Sequence, residues 1–362
     1  MPAPRGMTDV RSTGRSDTVP RAEYGEILRQ VKSEGLLNRT YGFYVALSIG
    51  LVLAFAAALT GLALSGSLWV QLLIAVLLGV ILTQLAFLGH EASHRQVFTS
   101  KIANDRFGRV IATLFVGISY SWWMNKHTKH HANPNRIDHD PDIETDTIVF
   151  QPEKAQHRTR LQTWFVRHQG TLFFPLLMLE GINLHYQGMR YLLDRRNPVK
   201  GRGVEIALLT VRLLGLPALA FIALSPFAAL GFLALQVAVF GVYMGASFAP
   251  NHKGMPQVPA EMKLSFFHKQ VLTSRNVTGR GATAAFGGLN YQIEHHLFPN
   301  MPRPHLARAA QIVKDYCARW SIPYTAMSAS ASYRTVITHL NAVGYPDRDL
   351  FLCPLVSEYG RT

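Results

Sequence analysis

The sequence predicts an all-α integral membrane protein, with four transmembrane helices in two hairpins and a helical domain gathered on the cytosolic side. Three observations carry this. No Lys or Arg occurs between Arg39 and Arg95, a stretch filled by two apolar runs, Tyr41 to Leu64 and Leu68 to Leu88. Each is close to the ~20 residues that a helix needs to cross a bilayer. A second apolar pair, about Ile206 to Leu224 and Phe227 to Phe248, repeats the arrangement, and histidines cluster at the ends of these runs at helical spacings.

Residues 1–40 open with a Pro-, Arg- and Ser-rich stretch that lacks the apolar core of a signal peptide. It is expected to be a mobile arm, followed by an amphipathic membrane-surface helix near Glu23 to Leu37. Residues 41–89 form the first hairpin, turned at Ser65-Gly66-Ser67. In the long segment 90–203, Thr171 to Leu184 is apolar but too short to span, and Glu180 and Asn183 interrupt it, which predicts an interfacial helix. Residues 204–249 form the second hairpin, joined by Ser225-Pro226. In the tail, 250–362, Pro304 is placed to start a helix within Arg303 to Tyr324. Inside the spans, Arg212 is expected to snorkel to the interface, and Gln84 and Gln236 to hydrogen-bond between helices. Tyr120, Trp122 and Trp123 suit an interfacial aromatic belt better than a tunnel wall.

The two tight connections hold no Lys or Arg, whereas the arm, the segment 90–203 and the tail hold nearly all of them, which makes these three cytosolic. The net charge of +14 follows from that asymmetry and from anionic lipid headgroups. Without a basic, aromatic-rich soluble module, nucleic acid is not an expected partner. Cys317 and Cys353 form no CxxC or ferredoxin-type set, so neither a disulfide scaffold nor a resident iron–sulfur cluster is encoded. Any electrons must come from outside.

The chemistry lies in the histidines. His90 and His94 in GHEASH are four apart and share a helix face. His127, His130 and His131 in HTKHH repeat that logic, and the adjacent pair is splayed by roughly 100°, enough for one ring to address each of two ions. His295 and His296 in YQIEHH do the same, with Gln292 three residues earlier where a further ligand would sit; His252 follows Asn251 at the end of the fourth span. Eight imidazoles exceed one zinc site, whereas two irons with open positions fit, and two irons can bind and split dioxygen. Glu91, Asp138, Asp140, Asp142 and Glu294 are candidates for outer carboxylates that orient the rings. His139, His157, His168, His185, His268, His305 and His339 lack repeated spacing and are expected to be solvated or structural, His185 least clearly.

GHEASH, HTKHHANPN with DPDI soon after, and NYQIEHHLFPNMPRP together resemble the histidine boxes of the membrane fatty-acid desaturases, over roughly Tyr41 to Tyr324. The glutamine that opens the third box is similar to the front-end and acyl-CoA branch, which includes actinobacterial stearoyl- and linoleoyl-CoA enzymes. The resemblance implies a cytosolic di-iron centre, O2 as co-substrate and an acyl chain, best an acyl-CoA, as the group oxidised. It makes His90, His94, His127, His130, His131, His295 and His296 ligands, and APNHKG adds His252 with Asn251 beside it. Gln292 departs from an all-histidine third box. No HPGG haem motif is present, so the resemblance implies a separate ferredoxin or flavin-linked, NAD(P)H-dependent reductase and leans towards a bacterial plasma membrane. Lys126, Lys129 and Arg136 are cations that could attract an acidic donor. The competing readings are a membrane di-iron hydroxylase, a zinc-dependent intramembrane hydrolase and a metal carrier.

Overall fold

The computed structural model describes residues 24–145, 147–155 and 158–345; the expected arm, His157 and Cys353 lie outside the described residues. Helix α1 (Tyr24–Ser33) is amphipathic and buries Ile27 and Val31. The first hairpin is α2 (Tyr41–Leu64) and α3 (Leu68–Ser93). After α4 (Lys101–Arg109) and a π-helical stretch (Val110–Val116) come α5 (Tyr120–Ala132), the short α6 (Pro152–Ala155), α7 (Arg160–Leu177) and α8 (Glu180–Leu193). The second hairpin is α9 (Arg202–Ala223) and α10 (Pro226–His252). The remainder comprises α11 (Phe266–Leu272), β1 (Asn276–Thr278), α12 (Ala282–Ala285), α13 (Gln292–Leu297), a 3-10 turn (Arg303–His305), α14 (Leu306–Arg319), β2 (Ala326–Ser328) and α15 (Ala329–Ala342). The two strands form a small parallel sheet with Asn276 opposite Ala326.

The molecule is therefore an all-α integral membrane protein whose helices α2, α3, α9 and α10 are long and apolar enough to cross a bilayer. Their outward faces keep large apolar side chains uncovered, among them Ile49 and Leu53 on α2, Leu73 on α3 and Ile222 on α9. Such a surface is stable against lipid and not against water. Helices α3 and α10 run past their apolar stretches, to Ser93 and His252, so both spans end in turns that carry histidines. Those turns are buried by α5, α11 and α13, which replaces lipid by protein and lets polar residues continue the helix. A separate core, from Ile27 on α1 through Phe267 and Phe298 to Tyr316 and Cys317 on α14, backs the third box.

Three expectations need correction. Arg212 does not snorkel: it is 7% exposed, and its Nε donates to the Phe115 carbonyl at 2.7 Å, because the π-helical stretch leaves that acceptor facing α9. The amide nitrogen of Gln236 is buried with no hydrogen-bond partner, whereas Gln84 does bond to Tyr243 Oη on α10, at 2.7 Å. The apolar stretch 171–184 is two helices rather than one, since α7 stops two residues after Pro175 and α8 restarts at Glu180.

Helices α8 and α10 cross backbone to backbone at Gly181 and Gly241. A Cβ on Gly241 would lie 2.6 Å from the Gly181 nitrogen, and one on Gly181 would lie 2.7 Å from the Val237 carbonyl. Small residues at such crossings are what lets membrane helices approach closely. Gly241→Val should destabilise the protein by roughly 1–3 kcal/mol or more, read as a lower unfolding midpoint in detergent micelles; an unchanged midpoint would contradict this packing.

Candidate metal centre

Each box is aimed by a local device. Helix α3 ends where Arg95 takes a left-handed φ of 60°, which leaves His90 in the last turn and His94 at the cap. Helix α5 starts on Ser119, whose hydroxyl accepts the Trp122 N–H, and its last turns present His127, His130 and His131. His252 is the last residue of α10, and His295 and His296 occupy α13.

Ring nitrogens from these four elements converge in two groups, each drawn within 4.8 Å: His90, His94, His127, His131 and His295 in one, and His130, His252 and His296 in the other. Adjacent residues part company, His130 from His131 and His296 from His295, as the 100° step around a helix requires. In the first group Nε2 of His127 is 2.9 Å from that of His90 and 2.7 Å from that of His94, and those of His131 and His295 are 3.1 Å apart. In the second, Nε2 of His130 and His252 are 3.3 Å apart. Two nitrogens about 2.1 Å from one ion and about 90° apart sit about 3 Å from each other, so the donor set fits a metal. The chemistry of the rings agrees. Each ring nitrogen can form one in-plane hydrogen bond, so His127 Nε2, which faces the Nε2 atoms of both His90 and His94, cannot satisfy both, and His296 Nε2 is buried with no partner at all.

The outer nitrogens of the second group are anchored. His130 Nδ1 donates to Asp140 at 3.0 Å, His252 Nδ1 to the Thr273 carbonyl at 3.0 Å, and His296 Nδ1 to Gln270 Oε1 at 2.9 Å. Each anchor fixes the tautomer and leaves the Nε2 lone pair pointing inward. Asp140 is itself held by the backbone N–H groups of Asn135 (2.7 Å) and Asp142 (2.9 Å). Burial pushes the acidities of His127, His131, His295 and His296 well below the ordinary histidine value, reinforced by the neighbouring rings, and takes His94 down to about 3. All are then neutral at pH 7. His130 goes the other way: burial opposes its charge, but Asp140 and Asp142 outweigh it.

The other candidates have different neighbours. Glu91 faces away from the rings and makes a two-pronged ion pair with Arg303 (2.8 and 2.7 Å), to which Tyr44 donates at 3.2 Å. It clamps the first box to the segment after the third. Glu294 is fully buried against Asn276 (2.7 Å) and Tyr324 (3.0 Å), and burial raises its carboxyl to about 7. Asp138 is exposed and its backbone N–H bonds to Glu144, so it is a surface charge rather than an outer partner of a ring. Asp142 pairs with Lys126 at 2.8 Å and lies 3.4 Å from His130 Nδ1. Asn251 donates to the Leu289 carbonyl and to Gln292 Oε1, both at 3.1 Å, which turns the Gln292 amide nitrogen towards His252 Nε2 at 2.9 Å. His185 donates to the Gly117 carbonyl at 2.8 Å and belongs to neither group. Sequence reasoning missed Asn135, Gln270, Thr273 and Arg303; only Asn135, inside HHANPN, carried a local signal.

A cavity of about 240 Å³ abuts the centre, reaching His127, His130 and His252. Phe150, Phe173, Leu177, Met244 and Phe248 give it apolar walls, while Lys126, Asp142, Glu180 and Asn183 form a polar side. Trp123 lines it and stacks on His127 with ring centroids 4.7 Å apart, so this residue is a wall rather than part of an aromatic belt. Beyond Trp123, Met244 and Phe248 a narrow apolar slot continues past His90 to Ala112 and Val116 of the π-helical stretch.

Asp140→Asn keeps a hydrogen-bond acceptor but loses the charge behind His130. It should weaken metal retention by roughly 10–100-fold, measured as metal content after dialysis against graded chelator, while Asp138→Asn should not. Equal losses in both variants would contradict the assignment of Asp140.

The chain matches the fatty acid desaturase family model over residues 67–328. It is 28% identical to a Delta(8)-fatty-acid desaturase of Helianthus annuus, covering 91% of this chain and 74% of that protein. It is 30% identical to the Delta(6)-fatty-acid desaturase fat-3 of Caenorhabditis elegans, over 83% and 70% respectively, and 26% identical to a Delta 8-(E)-sphingolipid desaturase of Emericella nidulans, over 92% and 64%. An oxidoreductase set in the membrane is what these matches and the four spans describe, and neither the hydrolase nor the metal carrier agrees with them: the chain belongs to the fatty acid desaturase family.

Proposed function

We propose that the chain desaturates an acyl chain carried as an acyl-CoA, with one iron held by His90, His94, His127, His131 and His295 and a second by His130, His252 and His296. Once bound, the iron pair supplies, with dioxygen and two electrons from a separate ferredoxin or flavin-linked reductase, an oxidant able to take two hydrogens from neighbouring methylenes. The observation that carries this reading is the juxtaposition of the histidine groups with a cavity walled by apolar side chains.

The protein's own part is position. Phe150, Phe173, Leu177, Met244 and Phe248 hold an extended hydrocarbon by dispersion and exclude water from the reacting carbons. The indole of Trp123, fixed on His127, sets how closely a methylene approaches the first group. The slot towards Ala112 and Val116 receives the chain end, so its depth selects which carbons are presented. On the polar side, Lys126 and Asn183 offer donors to the thioester and headgroup end, with Asp142 holding Lys126 in place. Nearly all cations lie on the histidine side of the spans, which supports a cytosolic centre.

Iron-loaded protein given a reductase system, air and labelled saturated acyl-CoA should release alkenoyl chains by mass spectrometry, and none under nitrogen. His130→Ala and His296→Ala should each remove turnover while leaving the helical content intact. An alcohol product, or full turnover in both variants, would overturn the reading.

A further inference from the structure

The centre has two sides. The apolar-walled cavity, which we call the acyl cavity, meets it at His127, His130 and His252, whereas a separate polar depression of about 520 Å³ opens onto His94, His127 and His131 from the surface. That depression runs through Ser93, Arg95, Met124 and Thr128 into a second one of about 560 Å³. Together they form one groove, and His127 is the one lining residue they share with the acyl cavity. Arg95, Lys101, Lys129 and Lys200 line it from four different segments, all exposed and, among the described residues, none in an ion pair. One acid in the groove, Asp105, takes a hydrogen bond from Tyr120 Oη at 3.2 Å, and Arg109 is neutralised by Glu205 at 3.1 Å.

We propose that this groove is the docking surface of a small acidic one-electron carrier protein, which delivers electrons through the edges of His94 and His131. The inference rests on the desaturase reading, which requires electrons from outside. Four unpaired cations spread over separate segments raise the local concentration of an acidic protein and orient it, which is the pattern of a steered, transient encounter. A phosphate headgroup would call for cations converging on one point, and its acyl chain would have to enter from the side of the centre away from the acyl cavity. The electron count is closed by two docking events. Each reduced carrier gives up one electron and leaves oxidised; the acyl –CH2–CH2– group, O2, two electrons and two solvent protons become –CH=CH– and two waters.

The test uses the full chain in nanodiscs, iron-loaded, with a reduced acidic [2Fe–2S] ferredoxin as probe. Ferredoxin binding is measured at about 0.05 M and about 0.3 M salt for wild type, for Lys101→Glu/Lys129→Glu/Lys200→Glu, for Lys200→Glu alone, and for Lys314→Glu on α14 as control. The triple variant should bind at least tenfold more weakly and lose most of its salt dependence, Lys200→Glu should fall between, and the control should match wild type. In a single turnover, with the iron reduced by dithionite, the excess reductant removed and air then admitted, desaturation should be unchanged in the triple variant. Ferredoxin binding equal in wild type and triple variant, or a loss confined to acyl-CoA affinity, which would make the groove a phosphate site, overturns the proposal. Failure of wild type to make alkene in that pre-reduced, aerated turnover would instead overturn the desaturase reading, since binding is scored independently.

Discussion

Eight imidazoles converge in two adjoining groups, and their inward nitrogens face more neighbours than one hydrogen bond each can satisfy. A cation relieves this directly. Much of the surrounding structure serves to keep the lone pairs aimed inward despite their mutual repulsion: Asp140, the Thr273 carbonyl and Gln270 hold three rings from behind, and the Glu91–Arg303 pair fastens the first box to the third. That ion pair is a device for geometry more than for stability, because burying both charges costs nearly what their attraction returns.

The membrane supplies the other half of the design. Helices α3 and α10 are apolar enough to lie in lipid along most of their length and emerge as histidine-bearing turns, so the spans set the direction of two of the four histidine-bearing elements. The close crossing of α8 on α10 at Gly181 and Gly241 then brings up Leu177 and Leu184 as cavity wall beside Met244 and Phe248. Cavity and centre thus share helix α10, which carries Met244 and Phe248 in the cavity wall and His252 in the centre.

Spans and boxes were legible because both are written in local periodicity. A stretch of 55 residues without Lys or Arg, from Thr40 to His94, has one explanation in a folded chain, and spacings of three and four place rings on a common helix face. What stayed hidden depends on tertiary contact. Gln270 is unremarkable in FFHKQVL until α11 packs beneath His296, and Arg303 gains its role from Glu91, 212 positions away. Glu294, Asp138 and Asp140 look alike in sequence; one is buried against Asn276 and Tyr324, one is solvated, and one stands behind His130. Trp123 misled for the same reason, since an aromatic at the interface and one against a histidine ring share a sequence context.

The division of the histidines into a group of five and a group of three is the claim on which the account turns. Iron stoichiometry with Mössbauer spectroscopy on active, 57Fe-loaded protein measures it most directly. Two irons per chain, coupled to one another and both lost in stages as His130 and then His127 are replaced by alanine, is the predicted result. A single isolated iron in fully active protein would contradict it.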